Sequence, residues 1–204
     1  DDIVSWWRMG DNDSGAGDFV SDVIATDGEA LHLPGVAANY ASVPDAADLD
    51  GFTNCTFEAK GMTLPDWTPS ASQGLMSKWT TSGNQRTWRL QIDSAGTVTL
   101  CLSYDGSITT IYTSTVATGL ADGATADIMA MRNGADVRFY LNGVKLGDDV
   151  TCVTTAIINS SATANIGLAY NTDGLPMTGS MQRARVWNSA VANQATPTET
   201  PVLD

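Results

Sequence analysis

Carboxylates dominate the side chains that could do chemistry, and nearly all of them are short. Of the 23 acids, only Glu29, Glu58 and Glu199 are glutamates, which leaves 20 aspartates. Asp favours turns and oxygen cages for hard cations, whereas helices prefer Glu. The stretch 11–22, DNDSGAGDFVSD, has carboxylates at its positions 1, 3, 8 and 12, in the manner of an EF-hand loop. It carries Ala16 where that loop requires glycine and Asp22 where a bidentate Glu is usual, so it does not read as one. Most of the remaining aspartates read as solvated surface. His32, in ALHLPG, is the sole histidine, and no GxSxG elbow accompanies it. It reads as a packed or rim residue rather than the base of a triad. No phosphate-cradling glycine pattern occurs, which removes nucleotide chemistry. Cys55, Cys101 and Cys152 lack CxxC or Cys/His spacing, so zinc and thioredoxin chemistry have no support and at most one pair can bridge.

Sugar recognition needs an aromatic platform for the C–H face of the ring and planar polar groups for its hydroxyls. Trp67 in the Pro/Ser segment LPDWTPSASQ, Trp79 beside TSGNQ, and Tyr170 with Asn171 and Asp173 are the candidates, with Asn84 and Arg86 as added hydrogen-bonding groups. Trp6, Trp7, Trp88 and Trp187 fall on expected strands and read as structural.

The chain has 204 residues and a formal charge of -13, with 10 basic side chains. A chain of this length buries roughly 70% of its unfolded surface, so a core forms without staples. The negative charge opposes binding to nucleic acid and to anionic membranes. No apolar run reaches the length of a membrane span, and the opening DDIVSWWRMG lacks a basic and then apolar leader and a starting methionine, as expected of a processed chain or a piece of a longer one.

These groups must be positioned by strands. Short alternating runs are cut every 8 to 15 residues by Gly, Asp, Asn, Pro and Ser/Thr clusters, without helical periodicity. Strands are expected over 3–9, 30–33, 38–43, 55–62, 74–80, 86–93, 97–104, 107–114, 124–132, 136–143, 163–170 and 180–187. In RTWRLQID, Trp88, Leu90 and Ile92 share a core face, while Thr87, Arg89, Gln91 and Asp93 share a wet one. Asn-Gly and Asp-Gly pairs at YDGS, RNGAD and LNGVK mark hairpins. Segment 10–29 is expected to be a long surface loop. The fold class that follows is all-β, a two-sheet antiparallel β-sandwich of the jelly-roll kind over 1–190, with an extended arm at 191–204.

The order of these motifs resembles the concanavalin A-like jelly rolls, specifically laminin G-like domains of bacterial and phage surface proteins. IVSWWRMGD followed by SDVIATDG, LHLPGVAANYASVPDAADLD, CTFEAKGM, TWRLQIDSAGTVTL and above all ADIMAMRNGADVRFYLNGVKLGD carry the resemblance, with ANIGLA and MTGSMQRARVWNSAV closing it. Gly61 stands where an aromatic is usual in that family, and Gln182 and Arg183 stand where relatives often carry an Asp-Glu pair. The resemblance implies a structural Ca²⁺ near the first acidic loop, with Asp22 and then Asp27 as ligands. Hydrolases on this sandwich need two flanking carboxylates, usually Glu, and no ExDxE spacing occurs, so no enzyme is expected. The expected role is a non-catalytic recognition or adhesion domain at a cell or virion surface, with a glycan or protein surface as partner. The alternative is a phage capsid decoration or appendage subunit acting as a homo-oligomer or in a capsid lattice. If Asp22 holds calcium, excess EDTA lowers the melting temperature and protease resistance of the purified chain; unchanged values remove the ion.

Overall fold

The computed structural model describes residues 19–20, 24–25, 30–170 and 174–191. In chain order the strands are β1 (Phe19–Val20), β2 (Ile24–Ala25), β3 (Leu31–Pro34), β4 (Tyr40–Val43), β5 (Cys55–Thr63), β6 (Gln73–Thr80), β7 (Gln85–Ile92), β8 (Val98–Leu102) and β9 (Thr110–Thr113). There follow β10 (Thr125–Asn133), β11 (Asp136–Leu141), β12 (Val144–Lys145), β13 (Val150–Thr151), β14 (Ala164–Ile166), β15 (Leu168–Tyr170), β16 (Gly174–Pro176), β17 (Thr178–Met181) and β18 (Arg183–Trp187). One antiparallel sheet runs β1-β4-β14-β6-β7-β8-β9. The other runs β12-β11-β10-β5-β17-β3-β2, with β13 on β11 and β18 on β5. The all-β sandwich expected from the sequence is the observed architecture.

Alternation builds the interior. Trp88, Leu90 and Ile92 face Leu102, Leu100 and Val98 in register on the first sheet. Phe57 and Ala59 lie beside Ala130 and Ile128 on the second. All of these side chains are buried in one core. The two layers meet where the Phe57 and Trp88 rings lie 4.9 Å apart, a tilted pair that adds to simple area burial. Asn142 (φ 50°) and Gly143 (φ 77°) supply the left-handed turn between β11 and β12.

Several expectations change. Segment 10–29 is not wholly loop, since β1 pairs with β4 and β2 with β3. The expected strand 3–9 and the arm from residue 192 lie outside the described residues. Strand 163–170 breaks at Gly167, whose φ is +84° and where a Cβ would sit 2.6 Å from Leu33 Cδ1. Strand 180–187 breaks at Gln182, which packs so closely on Gly61 that a Cβ there would lie 2.4 Å from the Gln182 side chain. That contact explains the glycine in place of an aromatic. The wet face assigned to Thr87, Arg89 and Gln91 is buried. The small β15-β16 sheet packs against β6 on that side. Ser77 Oγ donates to Leu168 O at 2.7 Å, and Gly74 lets the Ala169 backbone approach so closely that a Cβ would meet its nitrogen at 2.3 Å. All three cysteines are buried and free.

Buried charges also belong to this framework. Lys78 on β6 has a fully buried side chain, with Nζ 2.8 Å from the equally buried Asp50 Oδ2 and 2.7 Å from Asp45 Oδ1. Nζ also donates to Ser160 O, and the Ser160 N–H donates to Asp50 Oδ2 at 2.9 Å. Glu58 on β5 is buried, with Oε2 3.5 Å from Arg185 Nη1 and Oε1 without a partner. Burial raises the Glu58 pKa above its usual value, and the nearby Arg185 only partly opposes this.

Replacing Lys78 by Met leaves a buried carboxylate uncompensated and is expected to cost about 3–5 kcal/mol in urea unfolding. The double variant Lys78→Met/Asp50→Leu is expected to recover most of that loss, because the unpaired charge goes with its partner. For Glu58 the raised folded value means that the native state binds more protons than the unfolded chain. Its stabilising contribution is therefore complete below the unfolded pKa and is lost as the pH rises through the folded one. Urea midpoints from about pH 4 to about pH 8 should fall less steeply for Glu58→Gln than for the wild type.

Candidate functional site

Trp67, named as an exposed platform, is 0% exposed. Its indole N–H donates to Ala124 O at 3.0 Å and its backbone N–H to Asp122 Oδ1 at 3.1 Å. A tryptophan in a Pro/Ser loop folds back into the core here because a carbonyl distant in sequence satisfies its one donor. Trp79 is 1% exposed and is likewise no platform. It stacks instead under Arg89, whose Cζ lies 4.9 Å from the Trp79 ring and 4.5 Å from the half-buried Tyr170 ring. Two of the named aromatics thus come together, but around a cation that the sequence reading had placed in water.

Asn84 is exposed in a tight turn with φ 56°. Arg86 faces Trp79 across the β6-β7 ladder, but its Nη1 donates to Gly106 O at 3.1 Å and so ties down the turn at 103–106. Asn171, Asp173, Asp22 and Asp27 lie outside the described residues. Among the described residues, no group of three or more His, Cys, Asp or Glu side chains is placed to hold a metal ion.

A concavity of about 360 Å³ opens elsewhere, at the end of the sandwich where β5 begins and β18 ends. One wall is the 3₁₀ turn Ala47–Leu49 and the chain through Asn54; the other is Asn188–Ala190. Both walls of this frame are pinned at several points. Leu49 O accepts from Trp88 Nε1 at 2.7 Å, and Asp50 is held by Lys78. Phe52 O accepts from the Ile157 N–H at 2.9 Å, and its ring lies 6.4 Å from that of Phe57. Asn54 Oδ1 accepts from the Gly134 N–H at 2.8 Å. Across the mouth, Thr56 Oγ1 donates to Ser189 O at 2.8 Å and accepts from the Val191 N–H at 3.0 Å.

Asp48, Thr53 and Asn188 are exposed on this fixed rim. A carboxylate and an amide set opposite each other are suited to pairs of hydroxyl groups, which donate and accept together. None of these residues was named from the sequence. Their types are those of ordinary turns, and Asn188 is far from Asp48 in the chain, so no local signal marks them.

Comparison with known proteins agrees with this architecture. A laminin G-type family profile, described as the Concanavalin A-like lectin/glucanases superfamily, matches residues 35–195. No curated protein matches the sequence. Among solved structures, the binding domain of Paraclostridial Mosquitocidal Protein 1 superposes with a TM-score of 0.65 at 11% identity, over 88% of this chain and 45% of that one. This chain thus spans under half the length of that binding domain. The Ruminococcus gnavus IT-sialidase CBM40, bound to α2,3 sialyllactose, gives 0.59 at 17% identity, over 79% and 91% of the two chains. The native heptameric SAP-like pentraxin of Limulus polyphemus gives 0.55 at 15% identity, over 88% and 94%. At these identities the structural likeness establishes the fold. With its alternating two-layer core and a family match running from β4's approach past β18, the chain belongs to the Concanavalin A-like lectin/glucanases superfamily.

Proposed function

We propose that this chain is a non-catalytic recognition domain, displayed outside a cell or on a virion, that binds a glycan through the recess between residues 47–54 and 188–190. The observation that carries this reading is the recess itself: a concavity with a rigid backbone frame and exposed Asp48, Thr53 and Asn188 at its rim. Rigid placement keeps low the entropy lost when a hydroxyl-bearing ligand is captured. Two superposed structures, a toxin binding domain and a CBM40 with a bound sialyl sugar, are consistent with it.

The arrangement of carboxylates supports a binding role. Among the described residues, two pairs of carboxylates share a cation, Asp45 and Asp50 on Lys78, and Asp136 and Asp149 on Arg138. Asp50 lines the recess beside the exposed Asp48, but its Oδ2 is taken up by Lys78 Nζ and the Ser160 N–H, whereas glycoside hydrolysis requires two carboxylates facing the scissile bond. Calcium at Asp22 and Asp27 remains part of the proposal and rests on the EDTA experiment.

A second reading, a subunit of a viral appendage or capsid lattice, is favoured by the sheet edges. Ile111 on edge strand β9 is 59% exposed and Val144 on edge strand β12 is 70% exposed. Edge strands with exposed aliphatics are templates for pairing with another chain.

A glycan array probed with the isolated chain should give defined hits, and the double variant Asp48→Ala/Asn188→Ala should weaken them at least tenfold. Its melting temperature should stay near that of the wild type, because exposed substitutions change stability by about 0.5 kcal/mol or less. No hits, together with symmetric oligomers in light scattering that an Ile111→Lys change dissolves, would replace the glycan reading with the assembly reading.

A further inference from the structure

The outer face of the first sheet contains a charge that the fold leaves uncompensated. Arg89 on β7 is 6% exposed, between the rings of Trp79 and Tyr170. Its one hydrogen bond among the described residues runs from Nη2 to Cys101 Sγ at 3.2 Å, and sulfur is a weak acceptor. None of the ion pairs among the described residues includes it.

Other buried cations are treated differently. Lys78 holds two carboxylates, and Arg132 donates to Val153 O and Thr155 O, each at 2.7 Å. Each of these cations is thus met by at least two oxygens of the chain, although Arg132 Nε, like Arg89 Nε, is a buried donor without a partner; Arg89 is met by no oxygen. Around Arg89 the deficit extends to its neighbours: Arg89 Nε and Trp79 Nε1 are buried donors without acceptors, and Gln91 Oε1, two residues along the same face, is a buried acceptor without a donor.

We propose that Arg89 is an anion subsite that takes the carboxylate of an acidic sugar, completing the stack between Trp79 and Tyr170. The guanidinium presents a planar fork of N–H groups, and a carboxylate is the planar, acceptor-only group that matches it edge to edge. Both rings lie against the guanidinium carbon, and its N–H groups, which meet no oxygen of the chain, are where the carboxylate comes in. Gln91 Oε1 asks for a hydroxyl next to the acid, a pattern found in a sugar acid and absent from a bare carboxylate or a phosphate. Tyr170 is the half-exposed member of the stack and the side on which it meets solvent. Turning this one ring aside breaks a single cation–π contact and uncovers the guanidinium.

This inference rests on the glycan-binding reading and adds to it a second, charge-selective contact distinct from the recess. The full chain is titrated by calorimetry with D-glucuronate and 3′-sialyllactose, and with D-glucose, lactose and acetate as the neutral and sugar-free counterparts. The same series is run on Arg89→Lys, Arg89→Met and Asp48→Ala/Asn188→Ala. Acidic sugars are expected to bind at least tenfold more tightly than their neutral counterparts and than acetate. Arg89→Met is expected to remove that preference, Arg89→Lys to retain part of it because the charge survives without the fork, and Asp48→Ala/Asn188→Ala to leave it in place. Melting of Arg89→Met at or above the wild-type temperature is the further expected sign, since the substitution removes an unpaired buried charge. Equal binding of acidic and neutral sugars, acetate binding as tightly as glucuronate, or an unchanged preference in Arg89→Met overturns the subsite. Neutral glycans bound alone, and lost with Asp48 and Asn188, overturn the subsite and leave the recess standing. Absence of all glycan binding overturns both.

Discussion

One buried ammonium group holds together the segments on which the candidate site depends. Lys78 sits on a central strand of the first sheet, and its contacts reach Asp45 and Asp50 in the 3₁₀ region and Ser160 ahead of β14. Ser160 in turn shares a 2.6 Å hydroxyl contact with Thr87 on β7. An ion pair so deep gains little over well-packed apolar groups in net stability; what it gives is geometry, because each charge tolerates few arrangements of the other. Asp50 is part of the recess wall, so the position of that wall follows from the Lys78 contact rather than from the loop's own preferences. Hydrophobic area brings the two sheets together. A polar constraint sets where the chain between β4 and β5 must lie.

The layered fold was legible because alternation is a local signal. Trp88, Leu90 and Ile92 declare one face of β7, and Val137 and Phe139 one face of β11, without knowledge of what lies opposite. The outer face of β7 was misread for the same reason: period-two alternation tells which side is apolar, not whether another segment is laid across the polar side. The β15-β16 cover depends on Gly74 and Gly167, whose missing side chains permit approaches by distant parts of the chain. Trp67 shows the limit from the other direction. Pro and Ser neighbours mark a loop, yet the partner that draws its indole inward is the carbonyl of Ala124, far along the chain. The recess residues left no signal at all, since Asp48, Asn54 and Asn188 are common turn residues that only the completed sandwich brings to one rim.

Two kinds of polar burial thus coexist in one molecule. At Lys78 and Arg132 most donors are met by oxygens of the chain itself, Arg132 Nε being the exception. At Arg89, Trp79 and Gln91 they are not, and the unmatched donors and acceptor lie on one sheet face beside aromatic rings. Buried groups left unmatched are uncommon in native folds, and three of them, Arg89 Nε, Trp79 Nε1 and Gln91 Oε1, fall together here.

The cysteines have a different consequence. Cys55 and Cys101 are fully enclosed thiols, and burial pushes the Cys55 pKa up to about 12. With no bridge among them, the fold owes nothing to an oxidising compartment and keeps its form under reductant. The same enclosure makes the two sulfurs reporters from different layers, Cys55 on β5 and Cys101 on β8. A thiol-alkylating reagent reaches either one only when its strand opens, so comparing their labelling rates tells whether the two sheets separate together or one at a time.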